Sequence, residues 1–284
     1  YTEVDTLSLH DALPISTSNI RIGSGGVMLP HYSSYKVAEN FRMMEALHPN
    51  RIDIGIGRSP SYRMVNQALN EDKAKRQSYE QQVDDLKKYF TDNTTEEHRF
   101  QSLIAAPRIS TTPEMWMLGT GDRGARVAAA QGTGYVFAHF AKPGLRGVSI
   151  VENYRQHFQP STLLQSPKTM IALFTVVAET EEEAEELAKA FDLWLYFVES
   201  ENQPPYYPSV ETARKRGFTA SEEERVRQNR RRMIIGTPKK VKTEIEKISE
   251  AFDADEIMIV PNVSGIENRK KVIELLANEF NLKK

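Results

Sequence analysis

Three short stretches hold residues whose types and spacing could do chemistry. Ile20 to Pro30, IRIGSGGVMLP, is a strand-like run into Ser24-Gly25-Gly26. Glycines there would let a flat ligand approach the backbone, or would simply fit a tight corner. RIDIGIGRSP places Arg58 directly after an apolar strand, flanked by Gly57 and Ser59. A guanidinium so placed could grip a phosphate through two hydrogen bonds. A plain surface arginine would read the same way. LGTGDRGARVAAAQ runs a strand into Gly119-Thr120-Gly121 and opens a helix at about Asp122, with Gly124 in its first turn. Free N–H groups and the positive end of the helix dipole meet at such a start and make an anion site. The alternative is an ordinary N-cap by Asp122, with glycines for the turn. Neither a G-x-G-x-x-G order nor a G-K-[ST] is present.

The remaining candidates are weaker. The six histidines show no metal-ligand spacing, so no metal is expected. His31 follows the glycine turn and reads as a surface histidine or, less simply, as one facing a ligand. His139, just past GYVFA, is a candidate pocket residue at a strand end. SEEERVRQNRRRM reads as a solvated helix, and Trp116 and Trp194 as core. No Ser-His-Asp arrangement can be argued from spacing, so no catalytic residue is named.

Elements must position these groups. Strands are expected over Ile20–Gly26, Arg51–Gly57, EMWMLGT, GYVFA, Thr169–Ala178 and ADEIMIV, with FQSLIAAPR as a small extra strand. Helices are expected over Ser33–Leu47, Lys75–Phe90, DRGARVAAAQ, Gly147–Phe158, ETEEEAEELAKAFDLWLYFVES, TPKKVKTEIEKISEAF and ENRKKVIELLANEF. Thr180 and Glu183 form a capping-box pattern, and Pro238 suits a first helical turn. Residues 201–232 are charged and Pro-rich and read as an excursion. Strand and helix alternate, so the sheet should be parallel. A doubly wound sheet and a (β/α)8 barrel both fit, and both bind ligands at the C-terminal ends of their strands.

Composition sets the outer limits. The 284 residues are 39% hydrophobic and 27% charged, enough for a sizeable core, and the net charge of −2 argues against nucleic acid as a partner. With no cysteine there is no disulfide and no thiolate chemistry, as suits a cytoplasmic protein. No apolar run approaches the roughly 18 residues of a membrane span. The first 16 residues, YTEVDTLSLHDALPIS, lack a signal-peptide pattern. They resemble a translated sequencing adapter and read as a non-native extension, leaving 17–284 as one domain.

Taken together, IRIGSGGVMLP, KVAENFRMMEALHPNRIDIGIGR, LGTGDRGARVAAAQGTGYVFAHF, IIGTPKKVKTEIEKI and DEIMIV resemble the bacterial luciferase-like family of flavin-dependent monooxygenases. The resemblance covers residues 17–284. It implies an α/β fold, a (β/α)8 barrel that binds FMN at its C-terminal mouth. FMN would arrive reduced from a separate NAD(P)H-dependent reductase, and with O2 would oxidise an aldehyde or other small organic substrate. By the same resemblance Gly25 and Gly26 would lie against the flavin ring and Arg58 would bind the phosphate. Thr120, Gly121 and Gly124 would form the phosphate loop. A hydroxyl residue often stands where this chain has Gly121, so a side-chain bond would be lost while backbone contacts remain. The excursion would be a partly mobile loop over the mouth. IRIGSGG resembles the family's third strand, which implies a chain lacking the first two β/α units, roughly 60 residues. The E-H-H motif that supplies the family's main histidine is absent. Two other readings stand beside this one: an FMN-binding protein without turnover, and a deazaflavin-dependent oxidoreductase on the same fold. Relatives commonly form homodimers through helices near the barrel start, where Ser33–Leu47 would take part.

Overall fold

A computed structural model describes residues 16–59, 63–71, 77–95, 97–144, 146–200 and 206–282. The segment read as a non-native extension lies almost wholly outside them. The chain divides into two compact units, one running to Val136 with Asn153–Lys168, the other holding Phe137–Glu152 and Thr169 onward.

In the first unit, β1 (Ile22–Met28), β2 (Ile52–Gly57) and β3 (Glu114–Gly119) lie side by side. β2 is central and parallel to both neighbours. Ile52, Ile54 and Ile56, which share one face of β2, are at most 2% exposed. Between the strands run α1 (Ser34–Leu47), α2 (Arg63–Ala68) and α3 (Tyr79–Phe90), and α4 (Asp122–Gln131) follows β3. Val37, Ala38 and Phe41 of α1 are buried, as are Val83, Leu86, Tyr89 and Phe90 of α3. They recur at three- and four-residue spacing, so each helix buries one stripe. Arg42 is fully buried on α1, where its Nη1 donates to Tyr89 O and to Asp92 Oδ1, both at 2.7 Å. β4 (Gly134–Ala138) begins in this unit and ends in the other.

In the second unit, β5 (Thr169–Val177) pairs in parallel with β6 (Met233–Gly236) and with β7 (Glu256–Pro261). Its helices are α5 (Arg146–Gln156, ending in the first unit), α6 (Glu181–Glu199), α7 (Val210–Arg216), α8 (Ala220–Arg230), α9 (Pro238–Phe252) and α10 (Ile266–Glu279). Pro238 is in the first turn of α9, as its fixed φ favours.

Three readings need correction. FQSLIAAPR forms no strand; it is turn and loop. MIIG, four residues ending in glycine, is a strand that the sequence pattern does not mark. The described part of the 201–232 excursion holds α7 and, as read from SEEERVRQNRRRM, the helix α8. The complete capping box belongs to Thr219 and Glu222 at α8. At α6 Thr180 Oγ1 accepts from Glu183 N, but the Glu183 carboxylate accepts from Lys271 Nζ.

Candidate functional site

The three marked stretches come together inside the first unit. Met28 pairs with Gly57 and Ile56 with Met117, so β1, β2 and β3 end at one level. Residues just past those ends share one face of the unit.

The β1 end is irregular by construction. Register shifts between Gly25 and Val27, and the Gly25–Gly26 peptide is cis. Ser24 Oγ donates to Gly55 O at 3.1 Å and accepts from Gly55 N at 3.2 Å, clamping β1 to β2 beside the bulge. The two glycines serve different needs. A Cβ on Gly26 would collide with Gly55 O and come within 2.6 Å of Leu118 Cδ1. A Cβ on Gly25 would meet nothing within 4 Å among the described residues. Gly26 is therefore a packing requirement, and Gly25 leaves an open backbone surface.

Arg58 is the first residue past β2 and is exposed. Its charge acts on the first turn of α3, on the Tyr79 phenol and the Glu80 carboxyl. Tyr79 is 9% exposed and its hydroxyl has no hydrogen-bond partner among the described residues. Burial pushes that phenol up, against the pull of Arg58. Glu80 is held below the usual carboxylate range, chiefly by Arg123, whose Nη2 donates to it at 2.9 Å.

Past β3, the helix cap is Gly121, not Asp122. Gly121 is extended (φ −168°, ψ 174°) and offers no side-chain cap, and Asp122 is the first helical residue. The first intrahelical bond runs from Ala125 N to Gly121 O at 3.3 Å. The N–H groups of the first turn are thus left without intrahelical acceptors. A Cβ on Gly121 would meet nothing within 4 Å, whereas one on Gly124 would touch Gly119 Cα at 3.7 Å. Tyr135, fully buried on β4, fills the space beneath this loop. Its hydroxyl donates to Gly121 O at 3.5 Å and would lie 3.0 Å from a Cβ on Gly119. Sequence reasoning missed Tyr135 and Tyr79, because only the fold brings them to the strand ends.

Two histidines also resolve. His31 is not a surface residue but 6% exposed, with Asn70 beside it. His139 belongs to the second unit, where it lines a cavity of about 280 Å³ with Phe174, Met233 and Lys240; burial pushes its pKa down. Trp116 is core, as expected, and Trp194 is half-buried.

The surface is open over Gly25, cationic at Arg58 and donor-rich at the start of α4. These features fit a ligand with a flat ring and an anionic end.

The chain is similar to known proteins over most of its length. Residues 4–255 match the profile of the luciferase-like monooxygenase family. The chain is 42% identical to the Bacillus subtilis protein YceB over 93% of its own length and 80% of that protein. It is 28% identical to the N-acetyl-S-alkylcysteine monooxygenase of B. subtilis, covering 94% and 79%. The crystal structure of apo-MsnO8 superposes with a TM-score of 0.83 at 29% identity, covering 97% of this chain and 81% of that one. At 14–15% identity, where likeness shows the fold alone, the solved neighbours include an FMN complex and an F420-dependent enzyme. The fold is accordingly α/β, of the luciferase-like barrel type. The chain belongs to the luciferase-like monooxygenase family.

Proposed function

We propose that this chain binds FMN at the β1–β3 ends and serves a monooxygenase that uses reduced FMN and O2 to oxidise an aldehyde or other small organic substrate. One observation carries the reading. The uncapped start of α4 at Gly121 and the exposed Arg58 lie at the same end of three adjacent parallel strands, beside the open backbone at Gly25. Reduced flavin, when bound, supplies the electrons that activate oxygen. The chain's own residues bind and orient. Arg58 and the N–H groups of Gly121 to Gly124 would hold the phosphate, and Thr120 lies at the turn that aims them. Gly25 would let the ring lie on the backbone, while Gly26 keeps β1 close to β2. Tyr135 supports the loop from below.

Reduced FMN would come from a separate NAD(P)H-dependent reductase, and two copies of the protein would pair through α1. Among the described residues, no helix is long and apolar enough to cross a membrane. The test is turnover with a reductase-supplied pool of reduced FMN, oxygen and a panel of aldehydes and thioethers. Oxygen-dependent product formation supports the reading. Oxygen-independent turnover with a reduced deazaflavin would move the chain to the second cofactor. Tight FMN binding with no product from any substrate would favour a flavin-binding protein without turnover.

A further inference from the structure

A cavity of about 260 Å³ opens in the first unit between the start of α1, the C-terminal half of α3 and the loop after α3. Ser33, Ser34 and Tyr35 line one side, Asp85 and Tyr89 a second, and Arg99, Phe100 and Leu103 a third. Gly25, Arg58 and Gly121 are not part of its lining. The loop side is fixed, because Thr94 Oγ1 donates to Leu103 O at 2.9 Å and Phe100 N to His98 Nδ1 at 3.1 Å. Tyr35 Oη donates to Ile104 O at 3.3 Å, and its ring meets the Tyr89 ring edge to face at 5.4 Å.

The polar groups here are donors that the fold leaves unused. Ser33 caps α1 without a side-chain bond, and the first turn holds no acidic residue. The first bond of the helix runs from Val37 N to Ser33 O at 3.0 Å. The N–H groups of Ser34, Tyr35 and Lys36 thus have no acceptor among the described residues. Tyr89 is 2% exposed, yet its hydroxyl makes no hydrogen bond among the described residues. Its oxygen, unlike that of Tyr79, is not sealed from solvent. Burial and the nearby Asp85 carboxylate raise its pKa, so it stays a neutral O–H donor. Arg99 is held in place: Nη1 donates to Asp85 Oδ1 at 3.1 Å and Nη2 to Oδ2, and the guanidinium lies 5.1 Å over the Phe100 ring. That leaves the rest of its five N–H groups. Asp85 itself does not oppose an anion, because Arg99 neutralises it and Gln81 Nε2 and His98 Nε2 also donate to Oδ1, each at 3.2 Å. Glu39, one turn along α1, is taken up by Lys36 Nζ at 3.2 Å.

We infer that this cavity binds a small carboxylate carried on a flat apolar body. A helix start, an unpartnered hydroxyl and a fixed cation converge on it, and all three donate to a carboxylate. The body lies among the Tyr35 and Phe100 rings and Leu103. The volume falls just below the ~300–1,000 Å³ of sites for drug-sized ligands, so the ligand is smaller than a flavin. The inference does not depend on the flavin reading.

The experiment is a titration of the ¹⁵N-labelled chain with sodium benzoate, benzyl alcohol and sodium acetate. It is read at the amide resonances of Ser34, Tyr35 and Lys36, for wild type and Tyr89→Phe, with the Tm of both. Benzoate should shift those amides with a Kd of about 1 mM, as suits a ligand of few atoms. Benzyl alcohol keeps the ring without the charge, and acetate keeps the charge without the ring. Each should bind at least tenfold more weakly. Tyr89→Phe should bind benzoate about tenfold more weakly, the loss of one hydrogen bond to a charged group. Its Tm should stay at or above that of wild type, because no bond within the chain is lost. Benzoate that leaves the three amides unmoved at ten times the expected Kd overturns the inference. So does a Tyr89→Phe variant that binds benzoate like wild type, and so does one with a clearly lowered Tm, which would show the hydroxyl to be partnered within the chain. Benzyl alcohol binding as tightly as benzoate removes the anion, and acetate doing so removes the apolar body; either result overturns the inference.

Discussion

Gly25 and Gly26 are neighbours with opposite tolerances, and that contrast is testable at the residue scale. Gly26→Ala forces a methyl onto Gly55 O and Leu118, so it should cost ~1–3 kcal/mol of stability, read as a lowered denaturant midpoint. Gly25→Ala should stay within ~0.5 kcal/mol of wild type, because its methyl meets nothing within 4 Å. It should nonetheless weaken flavin binding, since the methyl occupies the open surface. Equal stability losses for the two variants would contradict the account. Gly25, Gly26, Arg58 and Gly121 could be marked as candidates from sequence because each lies in or shortly past an apolar strand. Tyr79 and Tyr135 could not, because a buried hydroxyl and a loop filled from below leave no local pattern.

Elements set two further expectations. Asp122 stands in the first turn of α4, where a carboxylate favours the helix dipole but repels an anion. Asp122→Asn should cost ~0.3–1 kcal/mol of stability and tighten FMN binding; looser binding would argue against a phosphate at this helix start. The second expectation concerns α1 and the end of α3. Arg42 is 0% exposed and holds the Asp92 carboxyl below its ordinary value of 3.8 through a direct hydrogen bond. A carboxyl lowered by folding adds stability that is complete above its unfolded pKa and is lost as pH falls through the folded one. Asp92→Asn should therefore destabilise by ~3 kcal/mol at pH 7, leaving a buried charge without its carboxylate. That difference should shrink steadily as pH drops below about 4. A cost that is the same at pH 7 and pH 3 would rule out the ion pair as its source. Helices were legible at this scale because their apolar stripes are long. The cap of α4 was not, since Gly121 followed by Asp122 suits either a glycine or an aspartate cap. The four-residue β6 gave too short a pattern to read.

For the whole molecule, alternation of strand and helix was enough to give the α/β class and the parallel pairing. A continuous apolar run such as that of β5 marks a strand covered on both faces. The division of the chain between Val136 and Phe137, inside β4, left no sign, because a unit boundary within a strand changes no composition. The central claim is that the strand ends of the first unit hold a flavin by its phosphate. Its most direct test is parallel titration of FMN and riboflavin against wild type and Arg58→Gln, followed by flavin fluorescence. The account predicts that wild type binds FMN at least tenfold more tightly than riboflavin and that Arg58→Gln removes most of that difference. Equal affinity of wild type for the two flavins, or a preference for FMN that survives Arg58→Gln, would contradict it.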